Sequence, residues 1–150
     1  MADDLKSRIQ EDVKDAMRAR DRERLGALRL ITAAIKQKEV DDRVELDDAA
    51  VISVLEKMIK QRRDSIEQYQ KGGREELAAR EADEIEVIQN YMPAAMDESE
   101  IEALIDATLQ QTGASGMKDM GKVMGALKAK IQGRADMGAV SAKVRARLGA

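Results

Sequence analysis

From Leu5 to Leu148 the aliphatic side chains recur every three or four residues, and no stretch alternates with period two. That spacing stacks side chains on one stripe of an α-helix, whereas a half-buried strand needs alternation. The pattern predicts an all-α chain. Its core chemistry is equally restricted: Phe and Trp are absent, and the aromatic residues are Tyr69 and Tyr91. Packing must come from Ala, Leu, Ile, Val and Met ridges fitted between helices. At 150 residues there is room for one ordinary domain or two small ones. Charged residues are 37% of the chain, but both signs are interspersed among the periodic apolar positions, so they read as solvated helix faces rather than disorder.

Leu5, Ile9, Val13 and Met17 predict a first helix to about Arg20, with Asp3 and Asp4 in the first turn, where the helix dipole favours negative charge. Asp21 caps a second helix carrying Leu25, Leu28, Ile31, Ala34 and Ile35, until the charged stretch from Lys38 to Glu45 interrupts the period. These two should form a hairpin. Asp47 or Asp48 caps a long third helix with Val51, Val54, Leu55, Met58, Ile59, Arg62, Ile66 and Tyr69 on one side, stopped by Gly72-Gly73. A fourth, from Arg74, places Leu77, Ile85, Ile88 and Tyr91 in register and runs into Pro93, which no helix interior tolerates. The expected division is an N-terminal multihelical domain of about four helices over residues 1–93 and a small three-helix bundle over 94–150. In the bundle, Asp97 with Glu100 makes a capping box for a helix bearing Ile101, Leu104, Ile105 and Thr108, ended by Gly113 to Gly116. Met117, Met120, Val123, Met124, Leu127 and Ile131 form the next stripe; after Gly133, Asp136 caps a last helix with Met137, Val140, Val144 and Leu148. Met92 and Met96 flank Pro93 and are expected to pack the junction between the two parts.

With neither His nor Cys, the Ser-His-Asp and Cys-His catalytic arrangements and the common zinc sites are excluded. Adjacent acids at Asp83-Glu84 and Asp41-Asp42 lie among compensating charges, and no Walker or dinucleotide-binding glycine loop is present. No catalytic residue, no metal site and no cofactor is expected. Lack of Cys suits a reducing cytoplasm, no apolar run reaches the roughly 20 residues that span a bilayer, and MADDLKSRIQ is too polar for a signal peptide. The expected location is cytoplasmic, with no membrane partner.

Charge is unevenly distributed. Residues 1–96 hold 18 Lys or Arg against 22 Asp or Glu, a net of −4, whereas from Gln111 to Ala150 eight basic residues face only Asp119 and Asp136, a net of +6. A basic segment of this kind suits the phosphates of a nucleic acid, and the shortage of aromatics argues against stacking of single-stranded bases, leaving backbone contact and shape. Gly121 and Gly125 stand inside a predicted helix, where each costs about 1 kcal/mol relative to Ala. Two readings stay open: close helix crossing inside the bundle, or bare backbone that lets an RNA strand or partner helix approach beside Lys118, Lys122 and Lys128.

Several stretches together resemble the YqeY-like family: Asn90-Tyr91-Met92-Pro93, Asp119-Met120-Gly121-Lys122-Val123-Met124-Gly125, Gly133-Arg134-Ala135-Asp136 and Val140-Ser141, and upstream Leu25-Gly26-Ala27-Leu28-Arg29-Leu30-Ile31, Ala33-Ala34-Ile35-Lys36 and Ile66-Glu67-Gln68-Tyr69-Gln70-Lys71-Gly72-Gly73-Arg74. The resemblance implies a multihelical N-terminal region followed by a three-helix domain of GatB/YqeY type. A related domain forms the C-terminal tail of the B subunit of the glutamine-dependent aspartyl/glutamyl-tRNA amidotransferase, where it helps hold the tRNA. The implied partners are tRNA or another structured RNA and an amidotransferase or aminoacyl-tRNA-related protein; no DNA partner is expected. Amide-transfer chemistry, a carbon-nitrogen ligase reaction with glutamine as donor, would attach to such a chain by association. The residues expected to face RNA are Lys118, Gly121, Lys122, Gly125, Lys128, Arg134 and Lys143, contacting phosphate rather than reading bases. The rival expectation is a protein adaptor whose long helix from Asp47 to Lys71 offers Arg62, Arg63 and Tyr69 to another protein.

Overall fold

The computed structural model describes residues 4–149. Among them there are seven α-helices and no strands, so the chain is all-α. It divides into two compact units, residues 1–92 and 93–150.

In the first unit α1 is Leu5–Ala19, α2 Arg22–Asp42, α3 Asp48–Lys71 and α4 Glu75–Gln89. α1 pairs with α2, α3 pairs with α4, and α4 also packs on α2. The core is aliphatic: Ile9, Leu28, Ile31, Val51, Leu55 and Ile88 are almost wholly buried, each worth roughly 1.5–3 kcal/mol in removed apolar surface. The first three helices start where a short acid meets free N–H groups. Asp4 accepts from the Ser7 amide at 2.7 Å, Asp21 from Arg24 at 3.2 Å and Asp47 from Ala50 at 2.9 Å. Asp4 is thus the cap of α1 rather than a first-turn residue, and Asp3 lies outside the described residues. α2 does not stop at Lys38. The charged stretch continues the helix to Asp42, supported by Lys38–Asp42 at 3.0 Å and Gln37–Asp41 at 2.8 Å, both at i,i+4. α4 ends at Gln89, and Tyr91 follows in a turn, buried but off the helix.

In the second unit α5 is Glu98–Thr112, a 3₁₀ turn covers Met117–Asp119, α6 is Met120–Ile131 and α7 is Met137–Gly149. α6 packs against both α5 and α7, burying Ile105, Val123, Leu127, Ile131, Val140 and Val144. Thr108 is buried among them, and its hydroxyl donates to the Leu104 carbonyl at 2.8 Å. Asp97 accepts from the Glu100 amide at 2.8 Å, and Asp136 from the Gly138 and Ala139 amides at 3.3 Å. The Glu100 carboxylate is taken by Arg134, so the capping box is half made. Met117 is 46% exposed and sits in the 3₁₀ turn, because the helical register of the buried stripe begins only at Met120. Met92 packs on the first unit's core and Met96 on the second's, so each methionine fills its own core.

Candidate nucleic-acid interface

α6 buries one side and leaves the other bare. At about 100° per residue, Gly121, Gly125 and Ala129 fall on one stripe opposite Val123 and Leu127, with Lys122 and Ala126 beside it. The three stripe residues and their two neighbours are all exposed. A Cβ added at Gly121 or at Gly125 would meet nothing within 4 Å. Close helix crossing therefore does not explain these glycines; within the described residues their neighbours are solvent.

Basic residues of the second unit fall into two groups. Lys118, Lys128 and Lys130 are exposed, and their side chains carry no hydrogen bond or ion pair among the described residues; Lys128 borders the bare stripe on one side and Lys130 lies beyond Lys122 on the other. The others are engaged. Lys122 donates through Nζ to the Thr112 carbonyl at 3.0 Å, satisfying an orphan acceptor at the C-terminus of α5. Arg134 donates through Nε to the Ala94 carbonyl at 2.8 Å and pairs with Glu100 at 3.2 Å, while its carbonyl accepts from the Met96 amide at 2.9 Å. Lys143 bridges Glu102 at 3.1 Å and Glu98 at 3.2 Å, and those hydrogen bonds hold its ammonium pKa above the ordinary value. Arg147 is raised likewise by its pairing with Asp106, and it also reaches Glu102 at 3.3 Å.

Arg134 and Lys143 are thus brackets that fasten the chain before α5, and α7, to the acidic side of α5. They are not free cations beside the glycines. The excess of +6 read from the tail is locally offset by Glu98, Glu100, Glu102 and Asp106, which precede that segment in sequence and meet it only after folding. Ala126 and Ala129 belong to the same face and escape a reading by charge and glycine alone; projecting α6 at its helical period finds them, and sets Lys130, already counted in the tail's charge, beside the buried Val123 instead.

Elsewhere Arg62, Glu84 and Asp42 are also engaged. Arg62 is held by Glu84 at 2.8 Å and Glu81 at 4.0 Å and donates to the Met58 carbonyl, so of the expected adaptor triad Arg63 is exposed, Tyr69 half-buried and Arg62 occupied within the α3–α4 pair. In the acid pairs, Glu84 serves Arg62 and Asp42 serves Lys38. Among the described residues no three acids cluster to hold a metal ion, and no helix is long and apolar enough to cross a membrane.

Known proteins give a consistent assignment. The profile of the Yqey-like protein family matches residues 6–148. Among curated proteins, the chain is 34% identical over 146 residues to "Altered inheritance of mitochondria protein 41, mitochondrial" of Pyrenophora tritici-repentis, covering 95% of this chain and 80% of that one. The protein of the same name from Lachancea thermotolerans is 38% identical over 112 residues, 72% of this chain and 59% of its own length. That from Kluyveromyces lactis is 39% identical over 87 residues, 57% and 47%. The chain thus spans between about half and four-fifths of these relatives. Their names correct the cytoplasmic expectation: these relatives are named as mitochondrial, and an absence of cysteine does not separate one reducing compartment from another. With a matched profile over nearly its whole length, the chain belongs to the YqeY-like protein family.

Proposed function

We propose that this protein is a non-catalytic accessory factor that holds a structured RNA of the tRNA class by its sugar-phosphate backbone, in association with tRNA amidotransferase machinery. The observation that carries the reading is the bare face of α6: two helical glycines with nothing within 4 Å of a built Cβ. Each weakens the helix by about 1 kcal/mol against Ala, and no contact among the described residues offsets that. An external backbone approaching the helix closely is the reason such a surface would serve. Lys128, which borders the stripe, supplies a phosphate contact beside it, and Lys118 and Lys130, likewise free of internal partners among the described residues, add exposed positive charge to the same unit. Both tyrosines precede Pro93, so the second unit has no aromatic on which to stack unpaired bases, which favours a folded RNA read by shape. The amidotransferase association rests on the likeness of the second unit to the tail domain of that enzyme's B subunit.

Filter binding of unfractionated tRNA at several salt concentrations tests the reading. Affinity should fall linearly on a log–log salt plot, and Lys118→Glu with Lys128→Glu should weaken binding and flatten the slope by about one unit for each phosphate no longer neutralised. Absence of binding at low salt, or a variant that binds like the native chain, would overturn it.

A further inference from the structure

The first unit carries a groove of about 770 Å³ between α2 and α3. Its apolar lining is mostly short: Ala34 from α2, Ala50 and Val54 from α3, together with Met58 of α3 and Leu46 from the connection between the two helices. All five belong to, or pack against, the first unit's core, so the floor is apolar and continuous with a rigid interior. Val44, 55% exposed, extends the apolar surface to the lip.

The lip is acidic. Lys38 is neutralised by Asp42 at 3.0 Å, and Asp47 is committed to capping α3. Asp41 receives only the neutral Gln37 amide, at 2.8 Å. Glu45 has a carboxylate side chain 94% exposed and lies 3.9 Å from Lys6, whose ammonium is already bound to Glu39 at 2.7 Å. Lys57 is the remaining cation, and the uncompensated charge of the rim is negative.

We propose that this groove docks a basic amphipathic helix of a partner protein. Helix-in-groove recognition needs an apolar trough for side chains at i, i+3, i+4 and i+7, which Ala34, Ala50, Val54 and Met58 provide, and methionine adapts to varied shapes. Asp41 and Glu45 select the sign of the flanking charges, repelling acidic helices and phosphate backbones alike. This surface lies in the first unit and owes nothing to the lysines and glycines of α6.

The test uses the full chain and a synthetic helix with leucines at i, i+3, i+4 and i+7 and lysines elsewhere, followed by methyl NMR. The expected result is saturable shifts at Ala34, Ala50, Val54 and Met58, an affinity that falls with salt, and about tenfold weaker binding by Asp41→Lys with Glu45→Lys, both exposed positions. The same peptide with glutamates in place of lysines should not bind. The proposal is overturned if no shifts occur, if they map elsewhere, if the glutamate peptide binds as tightly, or if concentrating the protein alone reproduces them, which would give the groove to a second copy. The salt titration of the native chain decides the question even should the charge reversal unsettle the fold.

Discussion

Tyr91, buried in the turn after α4, donates its hydroxyl to the carboxylate of Asp12 on α1, 79 residues earlier. Arg8 stacks over the same ring, 5.0 Å from its centre, and donates to the Asn90 carbonyl at 3.3 Å, while Arg24 lies 3.8 Å from Asp12. The turn before Pro93 is thereby fastened to the first helix, which closes the first unit on itself. A buried hydroxyl needs such an acceptor, and a cation over the ring face adds attraction.

Tyr91→Phe keeps the ring and removes the donor, so it should cost about 1–2 kcal/mol in urea unfolding at neutral pH. Burial and the Asp12 carboxylate push the phenol well above its ordinary value of 10.0. The native tyrosine's contribution is complete below pH 10 and is lost as pH rises from there toward the raised value of the folded state. The variant should show a shallower alkaline decline; an unchanged one would remove the linkage.

At the acid end Glu39 contributes. Hydrogen bonds from Lys6 at 2.7 Å and from the Leu46 amide at 2.9 Å hold its carboxyl below the ordinary 4.5. Its contribution is therefore present above pH 4.5 and lost as pH falls toward the folded value. Glu39→Gln should lower stability at pH 7 and flatten the acid limb between those points, measured by thermal unfolding across pH.

Arg43 ends α2 in the left-handed region at φ 57°, where a side chain is strained by roughly 1–2 kcal/mol and glycine is not. Arg43→Gly should stabilise the first unit by about 0.5 kcal/mol after glycine's greater chain entropy is subtracted. Equilibrium unfolding with a lower midpoint would contradict the strain.

The second unit's cations should separate by readout. Arg134→Ala removes the tie to Ala94 and Glu100 and should lower the melting temperature, with a destabilisation of about 1–2 kcal/mol. The Lys128 side chain holds no partner among the described residues, so Lys128→Ala should leave melting unchanged while weakening tRNA binding. The reverse pattern would mean that the two roles have been exchanged.

Helix starts are legible because short acids at Asp21, Asp47, Asp97 and Asp136 announce themselves locally, and buried stripes because 3.6-residue periodicity is a property of each segment alone. α2 reads too short because the i,i+4 pairs of its charged end carry no hydrophobic signal. The candidate interface is legible in its glycines and misleading in its cations. Lys128 and Arg134 look alike in sequence, and only the fold brings Glu100 to Arg134 and leaves Lys128 in solvent. The balance between packing and exposure at Gly121 and Gly125 depends on what lies opposite α6, which no local pattern encodes.

Gly121→Gln with Gly125→Gln measures the central claim, because glutamine favours the helix and projects from the face proposed to meet RNA. Exposed helical glycine is about 0.5 kcal/mol or more worse than glutamine, so the double variant should melt higher than the native chain while its tRNA affinity at low salt falls at least about tenfold. Higher stability with undiminished tRNA binding would contradict the account.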